Sequence, residues 1–418
     1  MLHHELLFSL AIIFGVFMAW GIGANDVSNA MGTSVGSKAL TYWQAIIAAT
    51  IFEAAGAILA GGHVTDTIRH NIINVGAFTN QPVVLTYGML ASLLAASLWL
   101  LIASFKGWPV SNTHTIIGAM IGFTLMTAGT HAIYWYQMIN IVGAWVISPV
   151  ISAILAFILY SIARYFVLSS DNPLRNAKRL VPIYIFYAAT VISLVTCLKT
   201  LNHIGPHTSI LIDIAASIMF SLLIMGIGIF LLHRIKLPAN ADLHMELKLV
   251  EKLFALLMIF SACSMAFAHG SNDVSNAIGP LAIVINIINH GGKIITNSPL
   301  PVWILILGAA GIVFGLTTYG YKVMRTIGRH ITELTPSRGF AAELATATTI
   351  VLASVTGLPC STTQTLVGGV LGVGLARGIG ALNLSVIRNV FMSWIITLPA
   401  GAILSMLLYS LLRLIIKI

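Results

Sequence analysis

The chain has 418 residues, 58% of them hydrophobic and only 8% charged, with a mean hydropathy of +0.96. Soluble domains carry roughly 25% charged residues, so this composition excludes a large soluble enzyme and implies a polytopic helical membrane protein. A β-barrel is excluded as well, because its strands are short and alternating whereas these apolar runs are long and continuous. The net charge of +9 would suggest nucleic acid in a soluble protein. Here Lys and Arg fall in the loops between apolar runs, the positive-inside pattern, and no nucleic-acid partner is expected.

Apolar stretches are predicted at about 6–33, 42–61, 83–104, 109–127, 137–168, 182–200, 210–233, 250–289, 301–321, 341–357, 359–376 and 384–412. The first follows Met1-Leu2-His3-His4-Glu5, which lacks a cationic lead-in, and it holds Asn25 and Asp26; it reads as a retained span rather than a cleaved signal. Glu53 interrupts the second stretch, and Glu343 opens the tenth. Roughly 20 residues cross the hydrocarbon core, so the stretches near 30 residues are long, broken or tilted. Cys197, Cys263 and Cys360 lie far apart and form neither a metal spacing nor a disulfide framework.

The same polar sentence occurs twice. Gly23-Ala24-Asn25-Asp26-Val27-Ser28-Asn29-Ala30-Met31-Gly32 returns as Gly270-Ser271-Asn272-Asp273-Val274-Ser275-Asn276-Ala277-Ile278-Gly279. A second pair is Gly107-Trp108-Pro109-Val110-Ser111-Asn112-Thr113-His114-Thr115 and Gly357-Leu358-Pro359-Cys360-Ser361-Thr362-Thr363-Gln364-Thr365. A third is Pro149 with Pro399. The spacings agree: 247 residues from Asn25 to Asn272, and 250 from Ser111 to Ser361. Three echoes in one order imply duplication of a transmembrane unit. The expected organisation is a first repeat over 1–168, a linker region with two additional spans over 169–249, and a second repeat over 250–418.

Charge sets the expected topology. The linkers 169–181 (Arg175, Lys178, Arg179) and 234–248 (Arg234, Lys236, Lys248) and the loop 322–340 (Lys322, Arg325, Arg329, Arg338) are expected in the cytoplasm. Loops 62–82 and 199–208 carry one cation each. Both termini then lie outside, and five stretches per repeat invert the second against the first. The fold expected is an all-α inverted-repeat secondary transporter with about 12 helical segments and broken helices, in which the pairs 83–104/109–127 and 341–357/359–376 are either crossing spans or, in the preferred reading, two helical hairpins whose tips enter the protein.

Each Pro-x-Ser-x-Thr copy puts hydroxyls beside the unpaired N–H groups of a helix start, an anion site without fixed positive charge. Ser111, Thr113, Ser361 and Thr363 are the candidates; helix capping or interhelical packing is the simpler use of the same residues. Asn25, Asp26 and Asn29, with Asn272, Asp273 and Asn276, are oxygen-rich and share a helix face, which suits a hard cation such as Na⁺. The flanking glycines allow either close packing or unwinding. Glu53 and Glu343 are candidates for a cation or a proton. His114 and His269 read more readily as hydrogen-bonding spacers than as ligands.

These duplicated motifs resemble the inorganic phosphate transporter (PiT) family, bacterial type, over nearly the whole chain apart from 169–249. The resemblance implies symport of phosphate with Na⁺ or H⁺ across the inner (plasma) membrane, no cofactor, and a homodimer. It implies phosphate contacts at Ser111, Asn112, Thr113, Ser361, Thr362 and Thr363. It also implies cation and substrate contacts at the two Asn-Asp-x-Ser-Asn copies, and acidic positions at Glu53 and Glu343. Gln364 stands where many relatives have His, and Met89 where some have an acid. A sulfate symporter is the closest alternative. An anion channel would need mid-span Lys or Arg, and lipid-phosphate enzymology would need a nucleophile–base pair; neither is evident.

Overall fold

The computed structural model describes residues 4–106, 108, 110–196, 209–234, 242–295, 298–320, 335–378 and 384–416. Among these there are thirteen α-helices and no strand beyond the single bridge Ile73–Ile133. They are α1 (His4–Gly36), α2 (Tyr42–Ala60), α3 (Gly62–His70), α4 (Pro82–Lys106), α5 (Asn112–Thr127), α6 (Trp135–Ala163), α7 (Pro173–Val195), α8 (Ile210–His233), α9 (Leu243–Asn289), α10 (Val302–Thr318), α11 (Pro336–Val355), α12 (Thr362–Arg377) and α13 (Leu384–Ile416). Eight helices are long and apolar enough to cross a membrane, and α10 is a shorter apolar one. The protein is a multi-pass helical membrane protein, as composition predicts.

The central pair is α1 and α9. Each packs against a partner through glycine: a Cβ on Gly23 of α1 would lie 1.9 Å from the Ile312 carbonyl oxygen of α10, and one on Gly270 of α9 would lie 2.1 Å from the Glu53 oxygen of α2. Only a residue without a side chain lets two backbones approach so closely. Around this pair stand two hairpins, α4–α5 and α11–α12. Gly118 and Gly122 seat α5 on Leu398 and Ala402 of α13; Gly368 and Gly372 seat α12 on Pro149 and Ala153 of α6. Helices α5 and α12 have 16 residues each, about 24 Å, short of the ~30 Å hydrocarbon core. Their tips are buried at Val110, Ser111, Cys360 and Ser361, so the hairpins enter the protein as expected.

Several expectations are corrected. The 62–82 segment is no simple loop; it contains α3 and a 3-10 turn at Val75–Phe78. The 169–181 linker is helical from Pro173, because Leu174, Ala177 and Val181 bury one face while Arg175 and Arg179 stay exposed. Helix α9 starts at Leu243 and runs 47 residues, about 70 Å, far beyond one hydrocarbon thickness. Glu246 on this extension accepts from the Leu174 amide at 2.8 Å, and Glu251 accepts from the Ser337 amide at 3.0 Å. Polar first turns that looked like linker are thus helix, because their acids satisfy the open N-termini of α7 and α11. Of the two uses foreseen for the motif glycines, unwinding does not occur: α1 and α9 run unbroken through both copies. Gly107, Pro109, Cys197, Lys236, Lys322, Arg325, Arg329 and the loop 199–208 lie outside the described residues. Cys263 and Cys360 are free thiols.

Candidate functional site

The two hairpin tips touch at the centre of the molecule. Thr113 Oγ1 donates to the Cys360 carbonyl at 3.1 Å, and Thr363 Oγ1 lies 3.4 Å from that of Val110. Each helix start is fixed by its own serine. Ser111 Oγ accepts from the His114 amide at 3.2 Å, and Ser361 Oγ accepts from the Gln364 amide at 3.3 Å. Capping uses the hydroxyl as an acceptor and leaves its proton available as a donor.

The motif copies on α1 and α9 close around these tips. Asp273 Oδ2 accepts from Asn112 Nδ2 at 3.0 Å and from Thr362 Oγ1 at 2.9 Å, so it joins both hairpins. Asp26 Oδ1 accepts from Asn29 Nδ2 at 3.0 Å and lies 3.4 Å from Thr363 Oγ1. The contacts cross between halves: Asn29 Nδ2 donates to Thr363 Oγ1 at 2.8 Å, and Asn276 Nδ2 donates to Thr113 Oγ1 at 3.1 Å. The first Asn of each copy meets a hydroxyl near the end of the adjoining hairpin arm. Asn25 Nδ2 donates to Ser104 Oγ at 2.8 Å, and the Asn272 amide lies 3.2 Å from Ser354 Oγ. Ser28 and Ser275 bond the carbonyls of Asn25 and Asn272 on their own helices.

His269 sits between two carboxylates, with Nδ1 3.2 Å from Glu53 Oε1 and Nε2 3.0 Å from Asp273 Oδ2. Ligand atoms of Asp26, His269 and Asp273 all lie within 4.8 Å of one another. Three carboxylates and one imidazole therefore crowd one chamber. In a low-dielectric interior such an excess of negative charge needs compensation by cations or protons. Asp26 Oδ2 and Asn276 Oδ1 have no hydrogen-bond partner among the described residues, which is unusual for buried acceptors.

None of the fourteen residues singled out in the sequence is more than 2% exposed. Thirteen lie at or around the two buried hairpin tips: Asn25, Asp26, Asn29, Glu53, Ser111, Asn112, Thr113, Asn272, Asp273, Asn276, Ser361, Thr362 and Thr363. Glu343 is not among them. Its carboxylate accepts from Ser34 at 2.7 Å, from Ser261 at 2.7 Å and from Thr33. Thr33 lies two turns along α1 from Asp26, about 10 Å away along the axis. Sequence reasoning missed Ser104, Ser354, Thr33, Ser34 and Ser261, since an isolated Ser or Thr in an apolar run carries no signal. His269, read as a hydrogen-bonding spacer, sits in that manner between Glu53 of α2 and Asp273 of its own helix. His114 stacks on Trp145 with ring centroids 3.9 Å apart.

A buried polar cluster where two hairpin tips meet, inside a bundle of helices long and apolar enough to cross a membrane, fits a membrane transporter for a small polar solute. The chain belongs to the phosphate transporter family, whose profile matches residues 22–405. It is 51% identical over 407 residues to a Haemophilus influenzae protein named "Putative phosphate permease", covering 97% of this chain and 96% of that one. It is 41% identical over 420 residues to "Inorganic phosphate transporter 2-1, chloroplastic" of Arabidopsis thaliana, covering 96% and 72%. A solved structure described as "The sodium-dependent phosphate transporter" superposes with a TM-score of 0.91 at 38% identity, over 98% of this chain and all of that one. The protein is a transporter and not an enzyme.

Proposed function

We propose that this protein imports inorganic phosphate together with Na⁺ by alternating access. Phosphate is held between the starts of α5 and α12, by the hydroxyls and amides of Ser111, Asn112, Thr113, Ser361, Thr362 and Thr363. The supporting observation is that these two helix starts meet over Asp26 and Asp273, with Asn112 and Thr362 both bonded to Asp273. A carboxylate beside an oxyanion is tolerable when the anion carries a proton or cations intervene. Phosphate near neutral pH keeps an O–H that Asp26 Oδ2 can accept; sulfate has none.

The Asn-Asp-x-Ser-Asn copies hold the cations, through Asn25, Asp26, Asn29, Asn272, Asp273 and Asn276, with Glu53 as a further ligand beside them and Glu343, among Thr33, Ser34 and Ser261, at a separate cation position. Unbroken α1 and α9 supply side-chain oxygens rather than freed carbonyls. The "sodium-dependent" description of the similar solved structure favours Na⁺ over H⁺. Moving a divalent anion into a negative interior costs about 4.6 kcal/mol per 100 mV, twice the single-charge value. Two Na⁺ per phosphate make the cycle electroneutral, and a third lets the potential drive it.

The repeat organisation over 1–168, 169–249 and 250–418 is part of this reading. Paired contacts support it: Asn25–Ser104 with Asn272–Ser354, Asn29–Thr363 with Asn276–Thr113, and Gly118–Leu398 with Gly368–Pro149. The remaining parts are an inner-membrane location, both termini outside, and a homodimer. Proteoliposome uptake of labelled phosphate and sulfate, with Na⁺ or choline outside and then with an imposed pH gradient, tests the reading. Phosphate accumulation that requires Na⁺ is expected. Full uptake in choline would remove Na⁺ coupling, and preference for sulfate would remove phosphate.

A further inference from the structure

Helix α3 has no role in holding the solute, yet it lies against the chamber. Helix α2 ends at Ala60 and α3 begins at Gly62, with Gly61 alone at the junction and two adjacent glycines there to give the backbone freedom. Thr65 Oγ1 takes the Gly61 carbonyl at 2.6 Å, a side-chain bond that favours bending. The two glycines differ in surroundings. A Cβ on Gly61 would lie 2.5 Å from Val274, one residue beyond Asp273, whereas nothing lies within 4 Å of one on Gly62. This is a pivot with one side pinned to the motif helix.

From the pivot, α3 runs along α9 away from Asp273, with Ile68 against Gly279. Its near end rests on the second hairpin tip. A Cβ on Gly357 would meet His63 Nδ1 at 2.5 Å and Thr67 Oγ1 at 3.2 Å, and Gly357 has a φ of +73° that only glycine adopts freely. Its far end is fastened. Arg69 is 2% exposed, and its Nη2 donates to the Ser298 carbonyl and hydroxyl, both at 3.1 Å. Ser298 is in turn bonded by Asn286 near the end of α9. Among the described residues the one carboxylate bonded to Arg69 is Asp66, 3.2 Å away, whose side chain is 54% exposed. A buried guanidinium with its Nε unpartnered and a solvent-facing counter-ion is a fastening that can be released at modest cost.

We propose that α3 is the lid of the outer mouth. It pivots at Gly61–Gly62, seats on Gly357 at the second hairpin tip, and latches through Arg69 to Ser298. Closed, it holds the tip residues Cys360–Thr363 against Asp273 and Thr113; released, it opens the chamber outward. The outward assignment rests on the topology proposed above.

Cys360, fully buried at the seated tip, is a native reporter. In a Cys197→Ser, Cys263→Ser background, the rate at which a membrane-impermeant maleimide added outside intact cells labels Cys360 measures lid opening, without phosphate or Na⁺. Failure of the symport reading would therefore leave this measurement intact. Arg69→Gln and Ser298→Ala each remove a hydrogen bond to a charged group, and labelling is expected to rise about tenfold or more. Arg69→Lys, which keeps the charge, should fall between. Ser298→Ala deletes one hydroxyl and keeps the backbone, so it reports even where the arginine variants insert poorly. Gly62→Ala fits the closed state and stiffens the pivot; it should slow both labelling and turnover with phosphate affinity unchanged. Unchanged labelling in Arg69→Gln and Ser298→Ala, or acceleration only for reagent delivered to the inner face, would overturn the proposal.

Discussion

Gly270→Ala probes the crossing that builds the chamber. The new Cβ would stand 2.1 Å from the Glu53 carbonyl oxygen, 2.8 Å from its carbon and 2.9 Å from its Cα, against 3.4 Å for the start of ordinary contact. All three atoms are backbone, so no side chain can swing aside, and α2 must retreat by roughly 1.3 Å, the difference between 3.4 and 2.1. The Glu53–His269 distance of 3.2 Å would then exceed ion-pair range. Overpacking of this kind costs typically about 1–3 kcal/mol, and the backbone clash places it at the upper end. The matched control is Gly32→Ala, where only Ser28 Cβ lies near, at 3.9 Å. There the replacement should be neutral or stabilise by about 0.5–1 kcal/mol through helix propensity. Thermal unfolding of both purified variants, with Na⁺-dependent phosphate protection as a second readout, separates them. Equal stability and equal protection in the two variants would refute the close-packed reading of the α2–α9 crossing.

Asp26→Asn and Asp273→Asn should each abolish uptake while inserting normally, with Asp273→Asn the less stable because it accepts from both hairpins; near-normal uptake by both would remove the paired-acid site. Ser111→Ala and Ser361→Ala should weaken phosphate affinity by about 1.5–3 kcal/mol and also lose a cap of about 1 kcal/mol in stability. Equilibrium binding unchanged in both would confine these serines to capping. Ser104→Ala and Ser354→Ala should raise the Na⁺ requirement for half-maximal uptake, since each frees the first Asn of a motif copy; an unaltered Na⁺ dependence would make those contacts mere packing.

What the sequence made legible follows from the solvent. In hydrocarbon every apolar run long enough must be helix, so most spans were readable to within a few residues, the exceptions being the starts of α7 and α9. The duplicated motifs were readable because polar residues at depth stand out against the apolar background. Helix α3 was not, because Gly61-Gly62-His63 and the charges after it have the composition of a loop; its helicity comes from Val64 and Ile68 packing on α9. The first turns of α9 were hidden for the same reason, and their acids find use only at the N-termini of other helices. Ser104 and Ser354 had no sequence signal at all, since their meaning is the tertiary contact each makes.

The repeat organisation proposed above accounts for the frame of the polar cluster but not for its charge. Residues 247 apart play matched parts: Gly23 approaches the Ile312 carbonyl as Gly270 approaches that of Glu53. By that correspondence Ile312 is the mate of Glu53, and Ile22 is the mate of His269. The Glu53–His269–Asp273 chain of contacts thus joins the two halves and has no symmetric counterpart, because the positions mated to its first two members, Ile312 and Ile22, are apolar. Asp273 is consequently tied on several sides, while Asp26 keeps one oxygen without a partner. Glu343 is likewise single, with Leu93 at the mating spacing of 250. In the alternating access proposed above, a symmetric frame would let the two hairpins exchange roles as the mouth switches sides. Under the symport proposed above, unequal carboxylates would give the two cation positions different affinities, and that inequality would let bound ions load and leave in a fixed order.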